Sequence, residues 1–127
     1  MKFYKCNDCG SVMILEKSLG CCEEGWVELK PNTTDASGEK HVPVIETEGE
    51  KVTIRVGSAE HPMLEAHYIM WIVLETSQGY QKKDLRPGEK PVAHFALAEG
   101  ETVLAAYEYC NLHGLWKVDA CGASCNQ

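Results

Sequence analysis

The chain reads as an all-β protein, an antiparallel β-sandwich, and three observations lead there. About seven short runs rich in β-branched and aromatic residues recur from position 41 onward, each bounded by turn-forming residues. One of them, "KVTIRVG" at 51–57, alternates apolar and polar residues with period two. No segment carries a sustained helical period, and only "MLEAH" at 63–67 could close a single helical turn.

The elements follow in order. "VPVIET" leads into a turn at Glu48-Gly49-Glu50, and "KVTIRVG" then places Val52, Ile54 and Val56 on one face. "HYIMWIVLET" is a longer strand, with "GYQKKDL" as its hairpin partner across Ser77-Gln78-Gly79. "PVAHFAL", "TVLAAYEY" and "LWKVDA" complete the set. Ahead of them, residues 1–30 hold an apolar piece from Val12 to Leu15 but too little hydrophobic surface to fold alone, so a metal or a partner is expected to hold them. "PNTTDASG" at 31–38 is polar and turn-forming, and reads as a linker.

With 127 residues, 44% of them hydrophobic, the chain can build one domain with a small appendage. No apolar run approaches the ~20 residues that span a bilayer, so no membrane association is expected. "MKFYKCNDCG" lacks the apolar stretch of an export signal, and a soluble cytoplasmic protein is expected. A net charge of -7 argues against nucleic acid and requires any anion site to be locally basic. Seven cysteines under those conditions point to metal or redox chemistry.

Five histidines are present: His41, His61, His67, His94 and His113. His41, His61 and His67 stand at strand edges or in loops, which cluster in space at the end of a sandwich. Cys110 and His113 lie in the turn after "TVLAAYEY"; a turn at Asn111-Leu112 can swing both toward one point, with Gly114 restoring the backbone direction. His94 sits mid-strand, in alternation with Val92 and Ala96, and is read as a non-ligand. Imidazole with thiolate suits iron, copper or zinc, and spacing alone leaves all three open. A blue-copper site would want an axial methionine, but none follows His113. Zinc is satisfied by four ligands where five are on offer. Iron with five such ligands would keep one octahedral position free.

"EKHVPV" at 39–44, "HPMLEAH" at 61–67 and "EYCNLHGLWK" at 108–117 closely resemble superoxide reductases of the desulfoferrodoxin and neelaredoxin type, over roughly residues 36–118. The resemblance implies an immunoglobulin-like sandwich carrying a mononuclear iron, with His41, His61, His67, His113 and the thiolate of Cys110 as ligands. It implies Nε2 ligation by the first three histidines and Nδ1 ligation by His113. It also implies that Glu39 and Lys40 lie on a mobile loop over the open position, where Lys40 would attract the superoxide anion and Glu39 would cap the oxidised iron. The reaction implied is one-electron reduction of superoxide to hydrogen peroxide. A rubredoxin is the usual electron donor of the family and a homodimer its usual assembly. A non-enzymatic metal-binding or electron-transfer sandwich, cupredoxin-like or built on structural zinc, is the rival reading.

Cys6, Cys9, Cys21 and Cys22 supply four thiolates, enough for a tetrahedral iron or zinc site. Their order resembles the desulforedoxin-like module at the N-terminus of two-iron superoxide reductases. Here the pairs are eleven residues apart, a shorter gap than that module's, and Glu23 follows where it usually has glycine. The organisation expected is therefore a four-cysteine metal module with linker at 1–35, a reductase domain at 36–118 and a flexible tail at 119–127. That tail carries Cys121 and Cys125, outside the resemblance, as reactive thiols.

Overall fold

The computed structural model describes residues 1–20, 24–34, 36 and 38–120, the side chain of Glu39 excepted. Among the described residues are ten strands and one helical turn: β1 (Lys2–Cys6), β2 (Val12–Leu15), β3 (Trp26–Leu29), α1 (Gly38–His41), β4 (Pro43–Glu48), β5 (Lys51–Val56), β6 (Ile69–Thr76), β7 (Gly79–Asp84), β8 (Val92–Ala96), β9 (Val103–Cys110) and β10 (Gly114–Asp119). They form three sheets, ordered β2-β1-β3, β10-β9-β6-β7 and β4-β5-β8, and every pairing is antiparallel. The all-β antiparallel sandwich is borne out. β4 to β10 are the strands expected from position 41 onward. β1, β2 and β3 were not foreseen as strands, nor was the four-residue turn α1. The "MLEAH" segment forms an isolated bridge between Leu64 and His67 rather than a helical turn.

Alternation decides which residues meet between the two larger sheets. Val52, Ile54 and Val56 of β5 and Ala93 and Phe95 of β8 face Ile69, Ile72 and Leu74 of β6 and Ala106 and Cys110 of β9. Cys110 is thus a core residue at the end of a buried strand, 0% exposed. A β-bulge between Ile69 and Trp71 lets Ile69 join Ile72 and Leu74 on the inner face, while Trp71 and Val73 point outward.

That outward face is covered as well. Phe3 of β1 lies 5.7 Å from the Trp71 ring and 4.7 Å from that of Tyr107, and Val12, Ile14 and Leu29 pack around them. The small N-terminal sheet therefore closes the outer side of the four-stranded sheet. Burying a phenylalanine to this depth contributes about 2–3 kcal/mol. The polar segment before α1 is tied down too. Asn32, at φ 60°, donates its backbone N–H to Leu115 O at 3.0 Å. Its side chain accepts from Lys117 N–H at 2.8 Å and donates to Lys117 O at 3.0 Å. A single asparagine thereby satisfies backbone groups on the free edge of β10.

Candidate metal centre

Three loops converge at one end of the sandwich. His41 closes α1, whose turn is made by Val42 N–H donating to Gly38 O at 2.8 Å, and β4 begins at Pro43. His61 and His67 lie on the connection from β5 to β6, which folds back on itself through reciprocal backbone bonds between Leu64 and His67 at 2.9 and 3.0 Å. Cys110 ends β9 and His113 sits in the tight turn to β10, where Gly114 takes φ 79°. A Cβ at Gly114 would meet Thr34 Oγ1 at 3.3 Å, so glycine serves there both the turn and the close approach of the preceding segment.

Asn111 splints two of these loops. Its Oδ1 accepts from Tyr68 N–H at 3.0 Å, its Nδ2 donates to Ala66 O at 3.0 Å, and its backbone N–H donates to Tyr68 O at 3.2 Å. The loop bearing His61 and His67 is thereby locked to the turn bearing Cys110 and His113.

One donor atom from each of His41, His61, His67, Cys110 and His113 falls within 4.8 Å of all the others. The four imidazoles form a closed square. Ring neighbours His41–His61, His61–His67, His67–His113 and His113–His41 stand 4.6 to 5.0 Å apart and nearly perpendicular, at 78 to 84°. His41 and His67 face each other across it, 6.5 Å apart and 30° from parallel. Cys110 Sγ is 3.9 Å from His113 Nδ1.

The arrangement exceeds what hydrogen bonds among the rings can satisfy. His61 Nδ1–H donates to Pro62 O at 2.7 Å, which leaves the Nε2 lone pair pointing at His41. His41 Nε2 lies 3.1 Å from that atom and 3.0 Å from His113 Nδ1, yet one nitrogen can bond only one of them through its single proton or lone pair. His67 Nε2 is buried with no hydrogen-bond partner. Converging lone pairs of this kind, with a thiol beside them, fit a bound transition-metal ion.

Electrostatics favour the ligating forms of the histidines. Burial lowers the His61 pKa to about 4, assisted by His41, His67 and His113 and opposed by the Pro62 carbonyl. Burial also lowers that of His67, with His113 and Lys40 adding to the effect. Both are neutral near pH 7, the state in which imidazole binds metals. Burial raises the Cys110 pKa, Glu108 raises it further, and the backbone N–H groups of His113 and Leu112 oppose the rise. A metal cation would reverse that balance and ionise the thiol.

Lys40 is exposed and, with Ala36, Pro62, His41, His61, His67 and His113, lines an open cleft of about 320 Å³. The Glu39 side chain, Cys21, Cys22, Cys121 and Cys125 lie outside the described residues. His94 stands apart from the cluster, exposed on β8 with Nδ1 3.2 Å from Thr53 Oγ1. In the N-terminal sheet, Cys6 N–H donates to Ser11 O and Gly10 N–H to Cys6 O, curling the Cys6–Cys9 loop. The Ser11 side chain, its backbone and Cys6 hold the pKa of exposed Cys9 below the ordinary thiol value.

Two residues at the site had no role in the sequence reading. Glu108 is 0% exposed and shares the inner face of β9 with Ala106 and Cys110. Burial pushes its carboxyl pKa well above the usual carboxylate range. Strand alternation back from Cys110 was the available signal. Trp116, two residues beyond Gly114, stacks on His41 at 4.9 Å.

An antiparallel sandwich that gathers four imidazoles and a thiol at the mouth of a cleft defines a class, the β-sandwich proteins with a mononuclear non-haem metal centre. Within it, the chain belongs to the desulfoferrodoxin family, whose family model matches residues 33–119. It is 44% identical over 120 residues to the desulfoferrodoxin of Syntrophotalea carbinolica, covering 91% of this chain and 94% of that one. It is 42% identical over 121 residues to a desulfoferrodoxin homolog of Archaeoglobus fulgidus, covering 92% and 95%. The crystal structure of the superoxide reductase from Treponema pallidum superposes with a TM-score of 0.78 at 37% identity, covering 94% of this chain and 100% of that one.

Proposed function

We propose that this desulfoferrodoxin is a superoxide reductase, with His41, His61, His67, His113 and Cys110 holding one iron. The observation that carries the reading is the square of imidazoles with the Cys110 thiol beside it, opening onto a cleft that Lys40 lines. Kinship with chains named superoxide reductase supports it. Iron(II) held by these residues would supply the one electron that, with two protons, converts superoxide to hydrogen peroxide, and an external donor such as a rubredoxin would restore it.

The protein's own residues divide the remaining work. The neutral histidines present lone pairs without a charge penalty, and Asn111 keeps their loops in register. Cys110 would give up its proton to bind the metal as a thiolate, a negative and polarisable donor. Lys40 provides a local positive charge that draws an anion to a protein of net charge -7. Glu39, one residue away, is assigned the capping of the oxidised site.

In this reading residues 1–35 are a second metal module, in which Cys6, Cys9, Cys21 and Cys22 hold iron or zinc. Residues 36–118 are the reductase domain and 119–127 a tail. The depressed pKa of Cys9 supports the first assignment, since thiolate is the ligating form. A cytoplasmic homodimer completes the proposal. Among the described residues no helix is long and apolar enough to cross a membrane.

The test is metal analysis and an absorption spectrum of the purified protein, followed by rapid mixing with superoxide. Iron, with peroxide formed from each superoxide and no oxygen evolved, is the expected result. Zinc alone, an intense blue copper–thiolate band or stoichiometric oxygen release would sink the proposal.

A further inference from the structure

We infer that Trp116 is a positioning residue for the metal centre, fixing the ring plane of His41 and closing the Cys110–His113 turn with one side chain. The inference rests on the reading of His41 and His113 as metal ligands. Trp116 is 4% exposed and sits on β10 directly opposite Glu108 of β9. Although buried, it belongs to neither apolar cluster of the sandwich. Its indole lies against the His41 ring instead, centroids 4.9 Å apart and planes 28° from parallel. Its Nε1–H donates to the backbone carbonyl of His113 at 3.1 Å.

Each contact removes a different freedom. The terminal torsion of an imidazole is broad, so a histidine whose edges alone are packed can still rock about its ring axis. The edges of His41 meet His61 and His113, and the indole covers a face. The turn from Cys110 to His113 reverses the chain over a few residues, and its last carbonyl is held by the Nε1–H bond. Because the indole is rigid, the two restraints are coupled: His41, arriving from α1, is oriented relative to His113, arriving from β9. Partners of this kind, which contact ligands without binding the metal, typically change metal affinity 10–100-fold when removed.

Cobalt(II) in place of iron separates this role from ordinary packing. Trp116→Phe keeps an aromatic face on His41 but deletes the bond to His113, and Trp116→Leu deletes both. Trp71→Phe is the packing control, since Trp71 stacks on Phe3 and Tyr109 in the outer cluster. Three properties are read: the cobalt–thiolate absorption spectrum, the rate of metal release to a chelator, and the melting temperature of the metal-free protein. Trp116→Phe should shift the spectrum and speed release about tenfold, and Trp116→Leu should speed it further, toward about a hundredfold. Trp71→Phe should lower the melting temperature while leaving spectrum and release unchanged.

Wild-type spectrum and release in both Trp116 variants would overturn the inference. Should neither variant fold, the wild-type protein decides. The indole proton of Trp116 must then show a paramagnetic shift in the cobalt form relative to the zinc form, and an unshifted proton overturns the inference. His41→Ala and His113→Ala, run in parallel, isolate the underlying reading. If they retain metal and spectrum, the ligand assignment fails. If they lose both while the Trp116 variants behave as wild type, only the positioning role fails.

Discussion

Nε2 of His41 stands 3.0 Å from Nδ1 of His113, although 72 positions separate them in the chain. Two ring nitrogens so placed, with a third 3.1 Å away on His61, are held together best by a shared cation. Stripping the metal should therefore destabilise the protein. A ligand present at a thousand times its dissociation constant adds about 4 kcal/mol, which for a chain of this size is on the order of 15 °C in melting temperature. Calorimetry of loaded and chelator-treated protein measures it, and coincident melting curves would refute the shared-cation role.

Acid should unfold the metal-free protein through His61. Its folded pKa of about 4 lies below the ordinary 6.5, so between those values the unfolded chain binds a proton that the folded one refuses. Stability is therefore full above pH about 6.5 and falls toward pH about 4, by up to about 3 kcal/mol. The lowered pKa of His67 acts in the same direction. Melting temperatures across that range should decline steeply in the wild type and less so in His61→Asn. Equal slopes would show that some other group drives the loss.

Lys40→Ala should leave iron content unchanged and slow the reaction with superoxide about tenfold at low salt. The difference should shrink as ionic strength rises past the range where the Debye length falls to about 8 Å. Rapid-mixing rates at two salt concentrations test this, and an unaltered rate at low salt removes Lys40 from the steering role.

Asn32→Ala should cost about 2 kcal/mol. It deletes two side-chain hydrogen bonds to Lys117 and puts a residue with no local polar compensation at φ 60°. Urea unfolding of the metal-loaded protein reports it. A change below about 0.5 kcal/mol would mean that the free edge of β10 is satisfied by water at no loss.

Cys6→Ser should abolish any absorption band of the N-terminal cysteine site while sparing the reaction with superoxide. Loss of both signals would show that the small sheet, through Phe3 on Trp71 and Tyr107, also supports the geometry of the catalytic end.

Particular residues explain what could be read in advance. β5 was legible because one face of it alone is buried, giving the alternation of Val52, Ile54 and Val56. β6 is apolar almost throughout because both its faces are covered, Ile72 and Leu74 by the sandwich interior and Trp71 and Val73 by the N-terminal sheet. A continuous apolar run does not name what covers it, so the docking of β1 on β6 was invisible. The bulge that turns Ile69 inward leaves no sequence signature either. At the site, the five residues read as donors stood out by residue type and by their place at strand ends. Asn111, Glu108 and Trp116 did not, because their roles arise from contacts such as Asn111 with Ala66 and Tyr68, settled only when the strands assemble.

The spread of the donors along the chain sets the order of events in biogenesis. His41, His61, His67, Cys110 and His113 come from three loops, the last of which joins β9 to β10. A nascent chain halted before position 110 holds just three of them, and no tight local turn links those from His41 to His61. Metal capture at this end of the molecule is thus a late event that reports completed folding, in contrast to zinc fingers, where the metal organises an unfolded segment. A metal ion delivered too early would find no complete set of these five donors.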